Sequence, residues 1–193
     1  MSDQEDFWNF SLAVYERARE NCLRLQDGFG LDINVLLFCC WSGARSIALS
    51  KPAFERIILA TSAWRDNVVR PLRATRRWLK TADCPTGAGD LRDGILGLEL
   101  EGERLLQALI IANAQERVSP GRPGSKVATI IARSNLDTYE CFVRPGDVVR
   151  PTTLLAELVA AIFDTIDQGA IVESARDSEK PAQDRPVSGS ESK

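Results

Sequence analysis

From Leu31 to Trp41 the chain reads LDINVLLFCCW, and after Asp32 the apolar side chains fall on every side of an α-helix, not along one stripe. A helix of that kind cannot lie on a surface, so other elements of the same chain must surround it. Asp32 stands where an N-cap belongs, because a short carboxylate there accepts from the first amides that have no partner inside the helix. Leu36, Leu37, Phe38, Cys39, Cys40, Ala44 and Ile47 carry the apolar pattern on to about Ala48.

The surrounding elements are helical too. Phe7, Phe10, Val14, Ala18, Cys22 and Leu25 recur at helical spacing, which predicts a first helix from about Asp6 to Gln26. Ser2 and Asp3 can cap it, Glu5 and Asp6 suit the positive end of its dipole, and Gly28 and Gly30 stop it. The period continues from Lys51 to Lys80 through Phe54, Ile57, Ile58, Thr61, Trp64, Val68, Leu72, Thr75 and Leu79. Pro71 removes a ladder bond within that run, which predicts a short helix followed by a longer one.

After the loop ADCPTGAGD, Leu91, Ile95, Leu98, Gly102, Leu105, Leu109 and Ala112 alternate spacings of four and three up to Glu116, the mark of a helix lying along a partner. That stripe suits an internal hairpin and a homodimer equally. The breaker SPGRPGS leads to a helix that Ser125 can cap, carrying Val127, Ile130, Ile131, Leu136, Tyr139, Phe142 and Val143. RPGD ends it at Arg144 to Asp147, and Pro151, Thr152 and Thr153 open a last helix through Leu154, Leu158, Ile162 and Ile166. From Gln168 the composition turns to Ser, Glu, Asp, Lys, Arg and Pro with almost nothing to bury. The expectation is an all-α domain over residues 1–167, a single compact bundle of about six helices around the buried second one, with a disordered tail over 168–193.

Histidine is absent, which removes Ser-His and Cys-His nucleophilic catalysis, imidazole acid/base chemistry and every histidine-containing metal site. No catalytic residue, metal site or cofactor is predicted. The five cysteines show no C-x-x-C spacing, and Cys39 and Cys40 point about 100° apart on a helix, so they read as reduced core residues of a cytosolic protein. The acidic start MSDQEDFWNF is unlike a secretory or transit signal. The greasiest run, Ile33 to Trp41, is far below the roughly 20 residues of a membrane span. The expected location is therefore the cytoplasm.

Three runs, FWNFSLAVY at Phe7 to Tyr15, LDINVLLFCCW at Leu31 to Trp41 and WRDNVVRPLRATRRWLK at Trp64 to Lys80, resemble an uncharacterised family of small helical proteins from proteobacteria, known only as a domain of unknown function. The resemblance extends to about Ile166. It implies a helical fold and a bacterial cytosolic setting, and it brings no activity, ligand or site residue.

The distinctive chemical feature is a set of six cations, Arg65, Arg70, Arg73, Arg76, Arg77 and Lys80, which at about 100° per residue fall within roughly 140° of one another. Only Asp66 interrupts them, and Trp64, Val68, Pro71, Leu72, Thr75, Trp78 and Leu79 form the opposite, core face. Guanidinium groups bind carboxylate and phosphate in bidentate fashion, so the face suits an acidic protein or another anionic partner. The mundane alternative is internal pairing: in an antiparallel hairpin Arg70 lies level with Glu101, with Glu99 and Glu103 close by. As paired carboxylates for acid/base work or a hard cation, Glu99 with Glu103 and Asp164 with Asp167 are less apt than as solvated helix faces.

The reading of the sequence is thus a non-enzymatic cytosolic binding or adaptor protein that presents the arginine face to an anionic partner. Nucleic acid is a less apt partner, given the net charge of -3. The alternative from another class is an enzyme or small-ligand protein with an interhelical pocket near Asp32 and Asn34, closed by Trp8, Tyr15 and Trp41.

Overall fold

The structure, a computed structural model, describes residues 2–81, 84–114 and 125–164. Helix α1 spans Asp3–Phe29. Ser2 accepts from the Glu5 amide at 3.3 Å while the Glu5 carboxylate accepts from the Ser2 amide at 3.0 Å, so two end amides are satisfied reciprocally. Gly30 closes the helix in the left-handed conformation, φ 70°, where a Cβ would be strained.

Helix α2 covers Ile33–Ala44, and every residue from Ile33 to Gly43 is buried. Asp32 caps it by accepting from the Asn34 amide at 2.9 Å. The helix stops four residues before the expected Ala48, and a distant side chain supplies the reason. Buried Asn135 accepts from the Leu49 amide at 2.8 Å and donates to the Ile47 and Cys39 carbonyls at 2.9 and 3.2 Å, so the exit strap bonds to it and not to a further helical turn.

Helix α3, Lys51–Trp64, runs through a π turn at Arg65–Val69 into helix α4, Arg70–Trp78. The longer segment therefore comes first, the reverse of the expected order. The break precedes Pro71 because proline has no N–H for the Asn67 carbonyl and its ring crowds that group. In the π turn the Arg70 amide reaches back five residues to the Arg65 carbonyl, which opens the ladder where proline needs room.

Helix α5 spans Gly89–Ala114, α6 spans Ser125–Val143, and a further helical stretch, α7, covers residues 152–164. No strand occurs among the described residues, and the fold is all-α. The turn at 119–124, the last residues expected of the α7 helix and the tail from 168 lie outside the described residues.

The core gathers on α2 as its composition requires. Helix α2 packs tightly on α6, where Gly43 lies so near Ala132 that a Cβ built on it would come within 2.5 Å of backbone atoms. On the other side Phe7 of α1 packs between Phe38 and Trp41, with ring centroids 5.4 Å away in each case. Cys22, Cys39 and Cys40 are buried and unpaired, and burial pushes the Cys22 thiol up to about 12. Among the described residues no helix is long and apolar enough to cross a membrane.

Candidate functional site

Helices α4 and α5 form an antiparallel hairpin, since Arg73 reaches Glu103 and the later Arg76 reaches the earlier Glu99. The way α4 faces differs from the amphipathic expectation. Pro71, Thr75 and Trp78, expected on the core face, are exposed, Trp78 to 52%. Arg65, Arg73 and Arg76, expected outside, are instead half-buried. The reason is Glu99, which is only 4% exposed at the α4–α5 seam. An unpaired buried carboxylate costs several kcal/mol, about 3–5 when a partner is removed, whereas fully burying a large apolar side chain gains about 1.5–3. The hairpin settles with guanidinium groups turned inward and one tryptophan turned out.

The resulting cluster is dense. Arg73 donates through Nε to Glu99 at 3.1 Å, through Nη1 to Gln26 of α1 at 3.2 Å, and through Nη2 to Glu103. Arg76 forms a fork on Glu99, with Nε at 2.5 Å and Nη2 at 3.0 Å. Burial pushes the Glu99 carboxyl up, but the hydrogen bonds from Arg76 and Arg73 outweigh it and hold the group below the ordinary carboxylate range. Glu103 has the opposite balance. Its burial is the larger influence, Arg73 is its one guanidinium partner among the described residues, and its carboxyl lies above the ordinary range.

Arg70 and Glu101 stand level, as the hairpin spacing predicts, because Gly102 packs beside Val69. They do not pair. Arg70 bonds to Asp66 at 2.7 Å, one turn back on its own segment, and Glu101 is exposed with no ion pair among the described residues. The continuous cationic strip is also broken in phase: a turn closed by a bond to the fifth residue back holds one residue more than an α turn, an offset of about 100° between Arg65 and the α4 arginines.

Beside this cluster lies a cleft of about 260 Å³ between the end of α1, the start of α2 and α4. Arg65, Arg70, Arg73 and Arg77 line it together with Gln26, Asp32 and Asn34. Two sets of residues that are separate in sequence, the arginine face and the entrance to α2, thus share one site. Asp32 is held from three directions: its carboxylate caps Asn34, its amide donates to the Tyr139 hydroxyl at 3.0 Å, and Arg65 Nη1 stands 4.0 Å from Oδ2. Behind Asn34, buried Gln107 donates to Asn34 Oδ1 at 2.9 Å and to Ser11 Oγ at 3.2 Å, while its own Oε1 is buried with no hydrogen-bond partner among the described residues.

The other sequence-predicted residues lie elsewhere. Arg76 is on Glu99, outside the cleft lining, and Lys80 is exposed beyond it. Trp41 is buried, bonds through Nε1 to Asp6 at 2.8 Å and carries the Arg45 guanidinium 4.6 Å above its ring. Tyr15 packs on the core and Trp8 is half-buried, and neither lines the cleft. Gln26, which lines the cleft, and Ser11 and Gln107, which back Asn34, are neighbours that sequence reasoning missed. Ser11 and Gln107 did carry a signal, a polar residue at a core position of the helical period, next to Val14 and Ile110 respectively.

Not all guanidinium donors are committed. Arg73 uses Nε, Nη1 and Nη2, and Arg76 uses Nε and Nη2. Arg65 binds Asp66 through Nε and Nη2, leaving Nη1 with the long contact to Asp32. Among the described residues Arg70 has one bonded nitrogen, Nη1, and Arg77 has no ion pair.

A family described as a protein of unknown function, DUF2390, matches residues 6–110. The match contains all three runs quoted above and stops within α5, short of the Ile166 to which the resemblance extended. No curated protein and no solved structure matches the chain.

Proposed function

We infer that this chain, which belongs to the DUF2390 family of unknown function, is a non-catalytic cytosolic binding protein that holds an acidic segment of a partner protein at the mouth of the arginine-lined cleft. The observation that carries the reading is the division of the six cations. Arg73 and Arg76 are tied to Glu99 and Glu103, Arg65 is held on Asp66 with Nη1 toward Asp32, and Arg70 and Arg77 keep open donors beside one cleft. The tied pair gives the open ones a fixed frame, and a planar carboxylate can take two parallel N–H bonds from such a guanidinium. Lys80, one turn after Arg77, extends the cationic edge for a second acidic residue. The net charge of -3 favours a short acidic peptide over a nucleic acid, which needs a broad positive field. Unpaired, buried thiols suit a reducing compartment.

The cleft itself supports a second reading, a small polar acid seated between the arginines and Asn34. A dye-labelled Glu-rich peptide followed by fluorescence anisotropy, with citrate as competitor, separates the two. Arg70→Ala with Arg77→Ala should weaken peptide binding about tenfold or more, the loss of one to two charge-assisted hydrogen bonds, and leave the melting midpoint unchanged. Equal binding by that variant overturns the acidic-segment reading. Binding of citrate with no binding of peptide favours the small acid.

A further inference from the structure

Helix α5 carries more apolar pattern than the fold uses. Of its alternating four-and-three repeat, Gly102 is turned inward against Val68 and Val69, and Ile95 and Leu109 are half-buried. The second row is not covered: Leu91, Leu98 and Leu105, spaced by seven, are 59%, 60% and 46% exposed, and Ala112 is exposed as well. We propose that this outer row seats on the same row of a second copy, α5 antiparallel to α5 about a two-fold axis beside Leu98.

Three observations select this occupant. An antiparallel two-fold through Leu98 sets Leu98 on its own counterpart and Leu91 on the other copy's Leu105, over a span of about 21 Å. The charges on the flank agree with that register. At about 100° per residue Asp90, Asp93 and Arg104 lie within roughly 60° of one another, and a two-fold normal to the helix pair keeps this flank on one side. Arg104, six residues after Leu98, then falls level with position 92 of the other copy, between its Asp90 and Asp93, and symmetry repeats the match at the far end. Asp90 and Arg104 have no ion pair among the described residues, and Asp93, 65% exposed, pairs only with its neighbour Arg92. A parallel two-fold would place the two copies of this flank on opposite sides of the seam, and the match would be lost.

The third observation concerns space and area. Gly94 and Gly97 flank Leu98 with nothing within 4 Å of an added Cβ, so two backbones can approach there. The three leucines expose roughly 300 Å² per copy, the lower end of the largest apolar patch that a typical monomer shows, which is often functional. With its flanks the ridge would bury on the order of 1,000 Å² in total, the lower bound for a specific interface, which gives a micromolar, concentration-dependent dimer. The row includes no residue lining the cleft, so this dimer stands or falls apart from the anion-binding reading.

Sedimentation velocity on the full chain from about 1 to about 200 μM brackets the affinity of so small an interface. The mass should climb from 21.3 kDa toward twice that value. Leu98→Glu should stay monomeric throughout with an unchanged circular dichroism spectrum and melting midpoint, because the side chain is exposed in the single chain. Arg104→Asp should weaken association, and adding Asp90→Arg with Asp93→Arg to it should restore association. A wild-type chain that remains monomeric at the highest concentration overturns the proposal. A Leu98→Glu chain that still dimerises, or a charge exchange that restores nothing, does the same.

Discussion

Replacing Glu99 by glutamine keeps the side chain's shape and removes its charge from the α4–α5 seam. In the wild type its two oxygens take three donors, Arg73 Nε, Arg76 Nε and Arg76 Nη2. The amide keeps one acceptor, and its NH2 group faces guanidinium donors it cannot bond. Arg73 still has Glu103 and Gln26, and Arg76, on the outer side of the seam, can turn to water. Removing one partner of a buried pair costs about 3–5 kcal/mol, and the surviving bonds lower this to about 2–3 kcal/mol at pH 7. Urea unfolding should therefore show a lower midpoint with an unchanged slope.

The pH dependence gives the sign. The folded-state pKa of Glu99 lies below its unfolded value, so its stabilisation is fully present above about pH 4.3 and is lost as pH falls through the folded value. The wild-type and Glu99→Gln midpoints should converge in acid. Glu103 has a raised folded-state pKa, so its ionisation opposes the folded state as pH rises through the interval above about 4.3. Glu103→Gln should accordingly cost clearly less than Glu99→Gln at pH 7. If Glu103→Gln costs as much, or if the Glu99→Gln deficit persists undiminished at low pH, the argument that two guanidinium groups stabilise Glu99 fails.

Three further outcomes follow from the packing. Gly43→Ala should lower stability by about 1–3 kcal/mol or more by thermal or urea unfolding, because its Cβ meets the Ala132 backbone at 2.5 Å and the helix-propensity gain of about 1 kcal/mol is too small to offset that. Asn135→Ala removes three bonds to the exit of α2 and leaves the Leu49 amide and Ile47 carbonyl unpaired, so about 2–4 kcal/mol should be lost, with amide exchange at Leu49 accelerated first. A thiol reagent under native conditions should label exposed Cys141 readily and reach Cys22, Cys39 and Cys40 only on unfolding.

What could be read from the sequence was local. Ser2 and Asp32 cap their helices because N-cap chemistry needs only neighbours in the chain, and α2 is buried all round because its composition allows nothing else. The end of α2 was not legible, since the groups that stop it come from Asn135, some ninety residues on. The facing of α4 was misjudged for a related reason. Periodicity ranks Trp78 as core and the arginines as surface, yet the buried carboxylate of Glu99 on another helix turns that ranking over. Both halves of the cleft were visible separately, as an arginine face and as Asp32 with Asn34, but their union depends on how the start of α2 packs against α4. Trp8, Tyr15 and Trp41 do not join Asp32 and Asn34 at the cleft, because Trp41 belongs to the buried core and Tyr15 packs against that core.

The arginines divide into a pair tied to Glu99 and Glu103 and an open pair, Arg70 and Arg77, at one cleft. Arginine Nε–H resonances report each guanidinium individually, so a titration with a Glu-rich peptide tests the division directly. Arg70 and Arg77 should shift together and saturate, while Arg73 and Arg76, held on Glu99, and Arg65, held through Nε on Asp66, should stay in place. Shifts confined to Arg76, spread evenly over all the arginines, or absent at saturating peptide would contradict it.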